Sequence, residues 1–321
     1  MTSDTWIRAG GSAARPESKA RSYARLGKLD VYDYYLGMLV VAAAVLPSAG
    51  FGAVPVLALF LVGEVCTVVA MVALDDVTGY RDGSDIANYG PNDALRKKLR
   101  KPLVAGTLTE SEALRFAWWT ALAGAVLWSA TIAIAPHRPL WTVLVIVVTY
   151  VFALQYSYGL KLSYRGFQEA FLVLLGMALV LGPYGLATGK FSGLLLVESV
   201  LFGLGPLMFG VYSNTNDVDG DRAVNRPTVA ALTSERGNAV FIGALSLGEF
   251  LLGAVASLTG LAPWWFALLV LPATVLRARQ YQLGFLSDDI MRARRLGFRV
   301  HRTYVALMVV ANLLVAAGVS A

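Results

Sequence analysis

The sequence is poor in charge: only 15% of its 321 residues are Asp, Glu, Lys or Arg, where an ordinary soluble domain carries about a quarter. With 57% hydrophobic residues and a mean hydropathy of +0.61, the chain cannot clothe a normal water-facing surface, so its solvent is mostly lipid. Its one cysteine, Cys66, sits in an apolar run and reads as packing; an intrachain disulfide and a cysteine-based zinc cluster are excluded. The two histidines, His137 and His301, fall in separate connecting segments, which rules out a histidine-based catalytic or zinc constellation. Gly203-Leu204-Gly205 lacks the lysine of a phosphate loop and suits close helix packing instead. Met1 to Lys28 is polar and basic without an apolar core, so no cleavable secretory signal is expected there. Residues 1–29 read as a flexible basic tail and 30–321 as one transmembrane domain.

Long apolar runs are what the sequence has in abundance. A membrane-crossing helix needs about 20 mostly apolar residues, and nine runs qualify: 33–49, 53–74, 116–135, 140–159, 168–188, 193–213, 239–259, 263–283 and 303–320. The expected fold is therefore an all-α integral membrane bundle of nine transmembrane helices. Glu64 and Glu198 are singled out as acidic residues within spans, either functional or hydrogen-bonded in structural roles. Nine spans put 25 of the 27 Lys and Arg residues on the side of the N-terminus, leaving Arg138 and Lys190 opposite. The positive-inside rule then places the N-terminus in the cytoplasm of a multi-pass plasma-membrane protein. The net charge of +6 is accounted for by orientation, and no nucleic-acid partner is implied.

Two of the cytoplasmic loops, which cap the bundle, are long and acidic. The first, Asp75-Asp76-Val77-Thr78-Gly79-Tyr80-Arg81-Asp82-Gly83-Ser84-Asp85, follows the second span. The second, Asn214-Thr215-Asn216-Asp217-Val218-Asp219-Gly220-Asp221-Arg222, follows the sixth. If helix continues into them, Asp75 and Asp82 lie about 20° apart on one face, and Asn214, Asp217 and Asp221 share a face through i+3 and i+4 spacing. One such motif alone reads equally well as solvated loop acid. Two at equivalent helix ends on one side would repel each other unless cations lay between them. Hard oxygen ligands suit Mg²⁺, which takes one or two carboxylates plus substrate phosphate oxygens. The expected ligands are Asp75, Asp76 and Asp82 on one side and Asn214, Asp217 and Asp221 on the other. Arg81, Lys97, Lys98, Arg100, Lys101, Lys161, Arg165, Arg222 and Arg226 stand close by in sequence, and charge alone does not say which of them hold diphosphate oxygens.

At these residues the sequence resembles the UbiA-type membrane prenyltransferase superfamily, and within it the menaquinone-pathway dihydroxynaphthoate branch. The first motif keeps Asp76 and the ending Gly83-Ser84-Asp85, has Asp75 for that branch's Asn, and has Gly79 for its second Asp. Arg100-Lys101-Pro102-Leu103-Val104-Ala105-Gly106 is similar to the superfamily's Arg-Pro-Leu-x-x-Gly stretch. Tyr156-Ser157-Tyr158-Gly159-Leu160-Lys161-Leu162-Ser163-Tyr164-Arg165-Gly166 is similar to its Tyr-Ser…Leu-Lys…Arg-Gly loop, and Asp217-Val218-Asp219-Gly220-Asp221-Arg222 to its second motif. Asp82, on nearly the same helical face, could stand in for the carboxylate missing at Gly79. The resemblance implies that Asp75, Asp76, Asp82, Asp217 and Asp221 serve catalysis by holding Mg²⁺ against a prenyl diphosphate. It further implies diphosphate binding by Lys161, Arg165, Arg222 and Lys101, and attack on the allylic cation by an aromatic acceptor such as a phenol or quinol. Tyr156, Tyr158 and Tyr212 could shield that cation or act as interface anchors. Two other readings stay open: a terpene cyclase using the same donor without an acceptor, and a non-enzymatic transporter or partner subunit.

Overall fold

The computed structural model describes residues 18–88 and 100–319, and among them the chain is helical throughout, with no strand. Nine helices of 13 residues or more account for most of it: α2 (Gly37–Ala49), α3 (Val54–Arg81), α5 (Glu110–Ile134), α6 (Leu140–Leu154), α7 (Gln168–Thr188), α8 (Gly193–Asn216), α11 (Glu235–Leu258), α12 (Phe266–Tyr281) and α13 (Ile290–Ala316). Short helices α1 (Lys19–Leu26), α4 (Ser84–Asn88), α9 (Val218–Ala223) and α10 (Val229–Leu232) lie between or before them. Six stretches are long and apolar enough to cross a membrane, the first being Tyr32–Arg81, which contains both α2 and α3. Helix α6, at 15 residues, and α12, at 16, are shorter than the runs 140–159 and 263–283 expected of them. Past Gln155 the chain leaves the helix for a loop in which the Ser157 and Ser163 hydroxyl oxygens are 2.8 Å apart.

Side-chain chemistry sets the helix starts. Thr109 and Glu112 form a reciprocal capping box on α5, with Glu112 N donating to Thr109 Oγ1 at 3.3 Å and Thr109 N donating to Glu112 Oε2 at 2.9 Å. Ser192, Ser234 and Asp289 cap α8, α11 and α13 in the same sense, each accepting from a backbone N–H three residues on.

Helix α3 packs against α5, α6 and α7; α7 packs against α8 and α2; and α13 packs against α8, α12 and α2, which closes the bundle. Lipid tails are as apolar as leucine, so close approach rather than exclusion from water must hold such helices together. Glycines supply it: a Cβ on Gly176 would collide with the backbone of Gly203, so α7 and α8 meet backbone to backbone. Gly63 likewise leaves room for the indole of Trp128, whose Nε1 donates to the Phe60 carbonyl at 3.1 Å and ties α5 to α3. Asn312 Nδ2 donates to Glu198 Oε2 at 2.7 Å, joining α13 to α8, so Glu198 has a structural partner. Glu64 is fully buried, and neither of its carboxylate oxygens has a hydrogen-bond partner.

Two features position the site. Helix α3 runs 28 residues, about 42 Å, which exceeds the ~30 Å hydrocarbon layer and carries Asp75 and Asp76 out on intact helix. Residues 18–29, the end of the expected tail, include α1, which packs on α3 and α5 with Leu26 fully buried. That docking brings Lys28 to the end of α3. Residues 1–17 lie outside the described residues.

Candidate active site

One cavity of about 600 Å³ opens where α3, α8 and α13 end or begin, and both acidic motifs line it. Asp75, Gly79, Ser84 and Asp85 contribute one wall; Asn214, Asp217, Asp221 and Arg226 contribute the facing one. The walls meet because α4 packs on α9, where Gly220 permits the approach: a Cβ there would sit 2.8 Å from the Asn88 side-chain carbon. Arg226 spans the gap. Its backbone N donates to the Asp221 carbonyl at 2.8 Å, and its Nη2 lies 3.7 Å from Asp75 Oδ1.

Each carboxylate has a distinct setting. Asp75 Oδ1 accepts from Ser157 Oγ at 2.6 Å, so the loop after α6 orients it. Asp76, expected as a ligand, does not line the cavity: it is almost fully buried and turned toward Lys101, whose Nζ is 2.7 Å from Oδ1, and its Oδ2 has no hydrogen-bond partner. Asp85 forms an ion pair with the same ammonium at 2.8 Å. Asp221 Oδ2 accepts from Thr228 Oγ1 at 3.0 Å. Burial pushes the Asp221 carboxyl up to about 6, against the pull of Arg226; burial also lifts Asp85 to about 6, against the pull of Lys101. Burial acts to lower Arg226, but Asp75, Tyr156, Asp221 and Tyr164 together outweigh it and the net shift is upward.

Not every residue expected from spacing reaches the cavity. Helix α3 stops at Arg81 and Asp82 is its C-cap. Its Oδ1 accepts from Ser84 N at 3.0 Å and Ser84 Oγ at 2.8 Å, and its Oδ2 accepts from the Tyr164 hydroxyl, so Asp82 starts α4 and does not line the cavity. Lys161, in a left-handed backbone conformation, lies 5.3 Å over the Tyr164 ring, and Arg165 is exposed. Arg222 Nε donates to the Ala231 carbonyl at 3.1 Å and so fastens α9 to α10. None of these three lines the cavity; of the expected diphosphate ligands only Lys101 does. Tyr156 lines it, whereas Tyr158 stacks edge-on with Trp118 and Tyr212 packs on Phe285. Lys97 and Lys98 lie outside the described residues.

The cavity also has residues that no motif marks. Lys28 arrives with the N-terminal segment, its Nζ 3.6 Å from Asp76 Oδ1 and 3.7 Å from Asp75 Oδ2. Arg294 and Arg302 come from α13; Arg302 makes a two-pronged ion pair with buried Asp33, at 2.8 and 3.0 Å. Tyr34, Phe209 and Phe298 form an aromatic wall, with Phe209 stacked on Phe298 at 4.4 Å and edge-on to Tyr34 at 6.2 Å. These segments are hundreds of residues apart, so only folding brings them together.

Among the described residues, no three of His, Cys, Asp and Glu converge into a self-sufficient metal cage. The donor set nevertheless suits Mg²⁺: Asp217, Asp221 and the Asn214 amide oxygen are hard ligands on one wall, with room for phosphate oxygens to complete the coordination.

The sequence matches the UbiA prenyltransferase family over residues 36–303. No curated protein matches it. Among solved structures, a UbiA homologue from Aeropyrum pernix K1 is 18% identical with a TM-score of 0.60, covering 92% of this chain and 98% of that one. A UbiA homologue from Archaeoglobus fulgidus, bound to DMAPP and Mg²⁺, is 13% identical with a TM-score of 0.61, covering 89% and 99%. A digeranylgeranylglyceryl phosphate synthase in membranes is also 13% identical, with a TM-score of 0.61, covering 92% and 99%. At these identities the likeness is one of fold.

Proposed function

The chain belongs to the UbiA prenyltransferase family, and on that premise we propose that it transfers an isoprenoid chain from an allylic prenyl diphosphate to an aromatic acceptor, with Mg²⁺. In this reading nine helices cross the plasma membrane, the N-terminus is cytoplasmic, and the cavity opens to the cytoplasm. The observation that carries it is the meeting of both acidic motifs in one cavity, with Arg226 reaching from the second motif to Asp75. A diphosphate entering there meets oxygen ligands on one wall and cations on both. The archaeal homologue solved with DMAPP and Mg²⁺ supports the same donor class.

Mg²⁺, when bound, would supply positive charge to the leaving diphosphate. Asn214, Asp217 and Asp221 are the residues that would hold it, and Ser157 orients Asp75 through a hydrogen bond at 2.6 Å. Lys28, Lys101 and Arg226 offer N–H donors to the departing oxygens, a preorganised field of the kind that dominates catalysis. The allylic C–O bond breaks with its electron pair going to the diphosphate. Tyr34, Tyr156, Phe209 and Phe298 present ring faces and edges below the polar rim, able to stack a flat acceptor and to shield the cation from water. Attack by the acceptor's electron-rich carbon forms the new bond, and transfer of its ring proton to water or a cavity carboxylate restores the ring.

The test is diphosphate release by membranes supplied with donors of increasing length, with and without phenol and quinol acceptors. Asp217→Ala or Asp221→Ala lowers release by on the order of 10²-fold or more, and EDTA abolishes it. A wild-type rate from Asp217→Ala would sink the metal site. Cyclic products from donor alone would replace transfer by cyclisation.

A further inference from the structure

We propose that Gln168 holds a hydroxyl of the aromatic acceptor through its carboxamide, so that the cavity selects an acceptor with a free O–H. The inference rests on the reading above that an isoprenoid chain is transferred to an aromatic acceptor in this cavity.

Gln168 opens α7 and lines the cavity, yet it is only 5% exposed. Its side-chain oxygen is buried without a hydrogen-bond partner, and among the described residues none bonds to its amide nitrogen. Cations of the same cavity are answered within the chain: Lys28 by Asp75 and Asp76, Lys101 by Asp76 and Asp85, Arg226 by Asp75, and Arg302 by Asp33. A buried carboxamide without partners costs stability until something outside the chain completes it. With no hydrogen bond to pin it, its last torsion, which is broad and two-fold for an amide, can turn either atom to the cavity.

The surroundings point to the acceptor. Phe171, one turn along the same face of α7, packs at 5.0 Å on the ring of Tyr156, which lines the cavity. Leu172, four residues on from Gln168, lines it as well. The carboxamide therefore stands beside an apolar, aromatic surface suited to a flat ring. Ionised diphosphate oxygens only accept and would leave the Gln168 oxygen unanswered; a cation would use that oxygen alone. An arene hydroxyl both donates and accepts, as a carboxamide does.

The match strengthens during the reaction. The allylic C–O bond gives its electron pair to the diphosphate, a ring π pair forms the new C–C bond, and the ring proton passes to water or a cavity carboxylate. When the attacking carbon is ortho or para to the hydroxyl, positive charge spreads onto the hydroxyl oxygen and its O–H becomes a stronger donor. The bond to Gln168 is then stronger in the transition state than in the ground state, which is the condition for raising the rate. Gln168 itself ends unchanged.

The purified full chain in nanodiscs, with Mg²⁺ and allylic donors of increasing length, would be assayed for prenylated product from 1,4-dihydroxynaphthalene and 1,4-dimethoxynaphthalene. Gln168→Met, similar in length and without hydrogen-bonding groups on that scale, is expected to lower kcat/KM for the dihydroxy probe roughly 3- to 10-fold, the worth of one neutral hydrogen bond. The dimethoxy probe and the donor KM should not respond. Equal loss on both probes, or a raised donor KM in place of the acceptor effect, would overturn the inference. Because the chain itself loses no hydrogen bond, ligand-free Gln168→Met is expected to melt no lower than the wild type; a lower melting temperature would show a partner within the chain and also overturn it. No prenylated product from the wild type with either probe would count against the functional reading itself, whereas product whose preference survives Gln168→Met would remove Gln168 alone.

Discussion

Asp221 is a buried carboxyl at the cavity wall, proposed above as a metal ligand, and burial holds it up near 6. Two pH effects of opposite sign follow. Binding a divalent ion requires the carboxylate, so diphosphate release should fall as the pH drops through about 6, by roughly tenfold per unit once protonation dominates. Stability without metal runs the other way. The unfolded carboxyl loses its proton near its ordinary value of 3.8, while the folded one keeps it to about 6. Between those values the folded chain binds more protons, so this group's contribution to stability declines as pH rises. In EDTA, Asp221→Asn should flatten the pH dependence of the melting temperature across that window; an unaltered slope would contradict the assignment. Asp75, Asn214, Asp217 and Asp221 all line the cavity, although the helix breaks at Asp217 between α8 and α9. Asp82 does not line the cavity, because Ser84 and Tyr164 engage its two carboxylate oxygens, pairings that helical spacing does not reveal.

Helices α11 and α12 are joined by a clamp that involves neither acidic motif. Arg277, 1% exposed, grips Glu249, also 1% exposed, through Nε to Oε2 at 2.6 Å and Nη2 to Oε1 at 2.7 Å, and Gln280 accepts from Nη1. The two-pronged geometry satisfies both carboxylate oxygens. Removing one partner leaves the other charge buried and unpaired, at a cost of about 3–5 kcal/mol. Glu249→Ala should therefore lower the melting temperature in detergent sharply, and Glu249→Gln less so. Equal melting of Glu249→Ala and the wild type would show the clamp to be dispensable. Glu249 is an acidic residue in the middle of the apolar run 239–259 that sequence reasoning missed, and its pairing with Arg277, 28 residues on along another helix, has no local signature.

Across the whole molecule, charge is sorted by end. The cavity gathers cations from the N-terminal segment, the loop after α4, the loop after α9 and the start of α13, all segments that nine spans place on one side. Cys66 is the sole thiol, so in a Cys66→Ser background a single new cysteine reports the side it faces. Lys190→Cys should react with a membrane-impermeant maleimide on intact cells, and Arg222→Cys only after permeabilisation. The reverse pattern would invert the topology. A bundle of this kind gathers its site late in chain order, since Lys28 and Arg302 are 274 positions apart yet line the same cavity.

The sequence by itself determined the helical membrane class, the asymmetry of charge and the two acidic motifs, because apolar run length, cation placement and short-range helical spacing are local quantities. Tertiary structure alone decided which cations answer which acids. Ion pairing depends on where separate helices end in space, and that is set by glycine-mediated contacts such as Gly220 against Asn88 and Gly79 against Asp85.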